Sequence, residues 1–146
     1  MGERLSIELR KLLVERKLAY FHASREIIIK EVDGARYDLE RSKKSLNDKD
    51  YKWATIQAYY CMFHLARALL FSRGYREKSH RALLIALNEL FVKKGQLDNE
   101  SYDNLKVAMD LREDADYGMT FSEASANDVT MRAEKFLKTV ERILQV

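Results

Sequence analysis

Residues 50 to 73, DYKWATIQAYYCMFHLARALLFSR, leave almost no face for water. Trp53, Ile56, Tyr60, Phe63 and Leu70 form one stripe at alternating spacings of three and four, while Ala58, Met62, Leu65 and Leu69 clothe the other side. A helix that is apolar nearly all round is buried, so this segment predicts the central helix of a bundle. The rest of the chain agrees. Proline is absent from the 146 residues, where average usage would supply about seven. Gly74, Gly95 and Gly118 each close a periodic segment, at the place where a left-handed residue past a helix end is favoured. Starts are signalled by Asn47 or Asp48 before YKWATIQ, by Ser79 before HRALL, by Asp98 before NESYDNL, and by Thr120 with Glu123 as a capping box. These signals predict helices over 4–20, 24–46, 50–73, 80–94, 99–117 and 122–145. The first two are the less defined, because Gly34 interrupts the second and the isoleucine triplet at 27–29 also suits an extended segment. The expected fold class is all-α, an up-and-down bundle of five to six helices.

A chain of this length buries roughly 70% of its unfolded surface, and no repeat, low-complexity tract or Gly/Ser linker divides it. One domain over 1–146 is expected, with 1–34 as a helical extension at its N-terminus. Cys61 is the one cysteine, which excludes an intrachain disulfide, and in AYYCMFHLA it suits a small packing residue. The opening MGERLSIELRKLL places charges where a signal peptide has its apolar core. No apolar run approaches the roughly 18 residues of a membrane span. A cytoplasmic location with no membrane partner is the expectation.

Two charged positions interrupt apolar stripes. Arg67 stands between Phe63 and Leu70, and a buried guanidinium is costly unless it is paired. Arg67 therefore either snorkels outward or meets a carboxylate, for which the acids of 98–116 are the nearest obvious supply. The second interruption is LREDADYG, 111–118: the stripe through Tyr102, Leu105 and Met109 steps onto Arg112 and Asp116. One reading is an i,i+4 ion pair worth a few tenths of a kcal/mol. The other is the polar floor of a cleft, walled by apolar residues at a dimer seam.

Net charge is only +3, from 26 basic and 23 acidic residues, so it implies no nucleic-acid partner by itself. Its distribution is uneven: seven Lys or Arg against two acids give +5 over 67–94, and seven acids against Lys106 and Arg112 give −5 over 98–116. That fits either solvated faces or a dipolar surface that docks a complementary partner. The acid excess beside the 111–118 motif disfavours RNA there, since phosphates seek Lys and Arg. There is no Gly-rich phosphate loop, and His22, His64 and His80 share no metal-binding spacing. No metal site and no cofactor are expected. His64 in CMFHLAR reads as a packing residue, whereas His80 follows the Ser79 cap beside Arg76, Lys78 and Arg81. The helix dipole and those cations favour the neutral imidazole. Such a histidine suits taking a proton or holding a phosphate oxygen as readily as a plain surface role.

YYCMFHLARALLFSRGYREKSH (59–80), followed after a helix by LREDADYG, resembles the prokaryotic HEPN domain. The subtype it resembles has a YYAMFHAARALL-like central helix, a G…SH connection and an R…ADY segment, and the likeness spans about residues 35 to 140. The resemblance implies a helical bundle that works beside a minimal nucleotidyltransferase. Many HEPN proteins are metal-independent RNases whose arginine, polar residue and histidine meet in pairs across a dimer cleft. Arg112 matches that arginine and Glu113 the polar residue, but Tyr117 stands where the histidine is expected. A phenol with a pKa near 10 is a far weaker base at neutral pH than imidazole. As in resembling toxins, a tyrosine at this place can instead accept a nucleotide from the partner transferase.

Three functions follow from the residues and the resemblance together. The first is a homodimeric partner of a minimal nucleotidyltransferase in a toxin–antitoxin-like pair, with a polar cleft around Arg112 for nucleotide or RNA. The second is a metal-independent endoribonuclease with a degenerate Arg-x4-Tyr motif, and the third a nucleotide-binding module without catalysis. Arg112, Glu113 and Tyr117 are the candidate catalytic residues. Asp116, His80, Arg67 and Arg76 are the candidate binding residues.

Overall fold

The computed structural model describes residues 5–146. Helix α1 (Ile7–Val14) leads into strand β1 (Leu18–Tyr20), then helices α2 (Arg25–Asn47) and α3 (Tyr51–Ser72). Strand β2 (Tyr75–Glu77) and helix α4 (His80–Leu87) come next, with a π-helical turn at Asn88–Val92. Helices α5 (Asn99–Asp116) and α6 (Glu123–Leu144) complete the bundle. No helix among the described residues is long and apolar enough to cross a membrane.

The all-α expectation holds, and α3 is the central helix, packed by α2, α5 and α6. Fourteen of its 22 residues are buried, which is the consequence of a helix with no polar face. Trp53, though on the sequence stripe, is 49% exposed at the first turn, before α3 enters the bundle. Gly34 leaves α2 unbroken, and the isoleucine triplet is helical. Three hydroxyl contacts sit among the apolar side chains: Ser42 on α2 donates to the Ala54 carbonyl of α3 at 2.8 Å, Thr130 on α6 donates to the Ala126 carbonyl at 2.8 Å, and the two hydroxyls lie 2.9 Å apart.

Several boundaries differ from the sequence expectation. The helix expected over 4–20 starts outside the described residues by that count; within them it spans only Ile7–Val14, after the Ser6 cap. Arg16 then takes a left-handed conformation (φ 58°), and Leu18–Tyr20 pairs antiparallel with Tyr75–Glu77, in the register Leu18 to Glu77 and Tyr20 to Tyr75. The helix expected over 80–94 loses its α geometry after Leu87, and the wider turn that follows keeps Glu89, Leu90 and Phe91 all buried. Asp50, not Asn47 or Asp48, caps α3. Ser122 with Ser125, not Thr120 with Glu123, forms the capping box of α6. Gly74 and Gly95 have the left-handed φ their positions demand (85° and 74°), whereas after α5 it is Met119 (φ 53°) that turns the chain. Gly118 is needed for room instead: a Cβ there would meet the Asp114 carbonyl oxygen at 3.0 Å.

Candidate functional site

One face of α3 carries Tyr59, Phe63 and Arg67 at successive steps of four, with Tyr60 beside them. Two other segments close on that face. The end of α5 brings Arg112, and the link from β2 to α4 brings Glu77 and His80. The Ser79 side chain caps α4 by accepting from the Ala82 amide at 3.0 Å, so His80 is fixed at the first helical position. Three sequence-distant segments thus meet around Tyr59, and the cleft on the His80 side is lined by Phe63, Arg67, Glu77 and His80.

Tyr59 is the post between them. Its ring is fully buried, its hydroxyl is 2.6 Å from Nδ1 of His80, and the two rings are stacked at 5.9 Å. Phe63 stacks on the same imidazole at 5.2 Å. On the other side, the Arg112 guanidinium lies 5.7 Å from the Tyr59 ring, 5.5 Å from Tyr60 and 5.3 Å from Tyr117. It donates to the Tyr60 hydroxyl at 3.1 Å and meets Asp116 at 3.3 Å. Its Nε is buried with no hydrogen-bond partner. A guanidinium held in one orientation among three rings keeps its charge and a fixed fork, which suits an anion.

Protonation follows from the surroundings. Burial pushes the Tyr59 phenol well above its ordinary value, with Arg112 acting in the opposite sense, so its hydroxyl keeps its hydrogen. Burial and then the Arg112 charge lower His80 below 6.5, which keeps the imidazole neutral at physiological pH. A buried phenol must place its hydrogen, and Nδ1 of His80 is the acceptor at hand. The ring hydrogen of His80 then belongs on Nε2. In that tautomer His80 offers the cleft a donor rather than a base.

Arg67 is also paired, but not by the acids of 98–116 that its neighbourhood in sequence suggested. Its Nε and one terminal nitrogen donate to Oε1 of Glu77 at 2.8 and 2.6 Å, and Glu31 of α2 lies 3.9 Å from the other. The guanidinium covers the Phe63 ring at 4.6 Å. Glu31 in turn is 2.8 Å from His64, whose other nitrogen is 3.5 Å from Asp38, so His64 links α2 to α3 through polar contacts as well as packing. Of the residues singled out by sequence, His80 and Arg67 line the cleft, while Arg112, Asp116 and Tyr117 gather beside Tyr59 and Tyr60. Arg76 lies at the margin of the cleft, in the wall of a depression of about 360 Å³ with Phe63, Arg67, Glu77 and His80. Glu113 is exposed, one step round α5, and its side chain acts on the cleft only through its charge. Sequence reasoning missed Tyr59 and Glu77. The first looked like core, and the second was hidden in a basic segment as its acid nearest to Arg67.

A model of the HEPN domain matches residues 31–146. The chain belongs to the HEPN family. This HEPN chain is 30% identical to a UPF0332 protein of Thermotoga maritima over 76% of its own length and 86% of the relative's. It is 28% identical to a candidate toxin of Methanocaldococcus jannaschii over 83% of its length and 91% of that protein's. A crystal structure of a protein from Thermus thermophilus superposes with a TM-score of 0.66 at 21% identity, covering 80% of this chain and 97% of the other. At that identity the likeness establishes the helical fold.

Proposed function

We propose that this HEPN protein is a toxin-type module that works as a homodimer with a minimal nucleotidyltransferase, and that the cleft around Arg112 takes a phosphate of a nucleotide or RNA. The observation that carries this reading is the Arg112 guanidinium, partly exposed and fixed among Tyr59, Tyr60 and Tyr117, beside a neutral His80. A guanidinium cannot lose its charge and its fork of donors matches two phosphate oxygens. The resemblance to a candidate toxin supports the toxin class, and the family's pairing supports the dimer and the transferase. The His80 tautomer argues against vigorous hydrolysis: with Nδ1 taken up by Tyr59, Nε2 carries the hydrogen that a general base would need to lack.

The test is incubation of the protein with RNA, with and without EDTA. The expected result is weak or absent cleavage, any residue of which disappears in Arg112→Ala, and a gain in Tyr117→His, which supplies a group titrating near neutrality beside Arg112. Robust wild-type cleavage that survives Arg112→Ala would sink the reading. Thermal shift with ATP and GTP, lost in Arg112→Ala, separates nucleotide from RNA. Sedimentation at micromolar concentration should give twice 17.1 kDa, and a monomer across that range removes the dimer.

A metal-independent endoribonuclease is the second reading, favoured by one observation: His80 brings an imidazole to the cleft that the Arg-x4-Tyr motif lacks. Cleavage abolished by His80→Ala, and insensitive to Tyr117→His, would select it. Binding of ATP or GTP with no cleavage in any variant would select a nucleotide-binding module.

A further inference from the structure

The start of α5 and the second half of α6 leave a groove of about 410 Å³ between them. We propose that this groove is a second anion site and that it takes a phosphate monoester. Neither Arg112 nor any residue of the His80 cleft lines it, so the inference stands apart from the function proposed above.

The groove holds donors that the protein does not use. Asn104 is 6% exposed, and its side chain is fixed by the Arg132 guanidinium, which donates to Oδ1 and is itself held by Asp128 at 2.8 Å. Asn104 stands in the groove wall and Arg132 does not, so the oxygen is turned to the arginine and the NH2 group is left to the groove. Among the described residues that NH2 group has no acceptor, and it is not sealed from water. A nearly buried amide without an acceptor costs stability, and a ligand oxygen removes that cost. Thr139 on the facing helix is half-buried and also makes no hydrogen bond among the described residues. The other helical threonines, Thr55 and Thr130, each donate to the carbonyl four residues back.

Three cations stand over these donors. Lys135, Lys138 and Arg142 are exposed and share with Thr139 an arc of about 100° on α6. Among the described residues none of the three has a carboxylate within ion-pairing distance. Two acids share the lining, Asp98 and Glu100. Asp98 is spent on the α5 cap: it accepts from the Ser101 amide at 3.0 Å and from the Ser101 hydroxyl at 2.6 Å, and the hydroxyl above all holds its carboxyl below the ordinary value.

Three positive charges against two negative leave the lining at +1, so the ligand is an anion. Its oxygens decide which kind. An amide, a hydroxyl, two ammonium groups and a guanidinium offer more hydrogens than the two oxygens of a carboxylate can accept in one plane. The head of a phosphate monoester presents three oxygens in three directions, which suits charged donors arriving from one helix and an amide from the other.

The experiment is a titration of the isotope-labelled chain with phenyl phosphate, followed by two-dimensional NMR at constant ionic strength, with benzoate and chloride as comparison anions. The Asn104 side-chain NH2 signals should shift and saturate below about 10 mM, in wild type and in Arg112→Ala alike, which excludes phosphate held at Arg112 as the cause. Lys135→Gln with Lys138→Gln should raise Kd about tenfold. Glu100→Gln should lower it about threefold, since a repelling charge is removed. Asn104→Asp keeps an oxygen for Arg132 and turns a second one to the groove, so saturation should be lost; the exposed lysine pair tests the same site without touching the core. Equal shifts with chloride, a response that never saturates, tighter binding of benzoate, or a Kd unmoved by the lysine pair overturns the proposal.

Discussion

Phe63 and Trp53 lie on one sequence stripe, yet the fold gives them opposite fates, and truncating each is a sharp test of it. Phe63 is 8% exposed, with His80 stacked on one face and the Arg67 guanidinium 4.6 Å from the ring centre. Tyr59 and Tyr60 approach it at 6.1 and 6.3 Å. Phe→Ala in a closed core costs about 3–5 kcal/mol. Here one wall of the resulting cavity is the cleft, which water can enter, so the lower end, about 3 kcal/mol, is expected. At about 2–4 °C per kcal/mol for a chain of this size, the melting temperature should fall by about 10 °C. Trp53→Ala, at a half-exposed position, should cost under about 1 kcal/mol. Urea unfolding followed by far-UV circular dichroism, with a common m-value, measures both. A loss below about 1 kcal/mol for Phe63→Ala, or equal losses for the two variants, would mean that the α3 face described for the cleft is misplaced.

Arg67→Ala should cost about 2–3 kcal/mol, because it strands the nearly inaccessible Glu77 carboxylate, whereas Arg67→Met with Glu77→Met should come within about 1 kcal/mol of wild type; urea midpoints decide, and equal losses would refute the pairing. His80 has a folded pKa below its unfolded 6.5, so the unfolded chain binds more protons in that window. Its stabilising contribution is complete above pH 6.5 and is lost as pH falls through the folded value. His80→Asn should therefore flatten the rise of melting temperature from about pH 5 to 7, and an unchanged slope would refute the shift. Gly118→Ala should destabilise by about 1 kcal/mol, as a crowded Cβ at 3.0 Å from the Asp114 oxygen must be relieved; a gain in melting temperature would show the α5 end to be looser than described.

The parts of the fold that were legible in the sequence are those with long-range periodicity. Helices α3, α5 and α6 announce themselves over about five or six turns, and Gly74 and Gly95 have a backbone requirement that only glycine meets cheaply. Short elements carry no such signal. Three-residue strands cannot establish a period of two, and α1 stops without a glycine because Arg16 accepts the left-handed turn itself. Caps were misplaced by a few residues where several candidates cluster, as with Asp48 and Asp50 or Thr120 and Ser122. At the site, Arg112 was legible because it broke a stripe. Its relation to His80 was not, since the connection runs through Tyr59, whose ring satisfies the apolar pattern and whose hydroxyl is invisible to it. Arg67 advertised a need for a carboxylate without naming it; the nearest acid-rich helix was the natural guess, and strand pairing delivered Glu77 instead.

The hydroxyls of Ser42 and Thr130 have a different consequence. Each has one hydrogen, yet together they make three contacts, to Ala54, to Ala126 and to each other. Two hydrogens cannot fill three slots, so with both given to carbonyls the Ser42–Thr130 contact is two oxygens facing without a proton. Leucine and alanine faces tolerate sliding of one helix along another. This triangle does not, because moving α2 by a single residue, about 1.5 Å, breaks both of the contacts that Ser42 makes to other helices. It acts as an index mark for α2, α3 and α6. Replacing both hydroxyls by apolar groups should leave the bundle about as stable while blurring its helical register, visible as broadened methyl resonances rather than as a lower melting temperature.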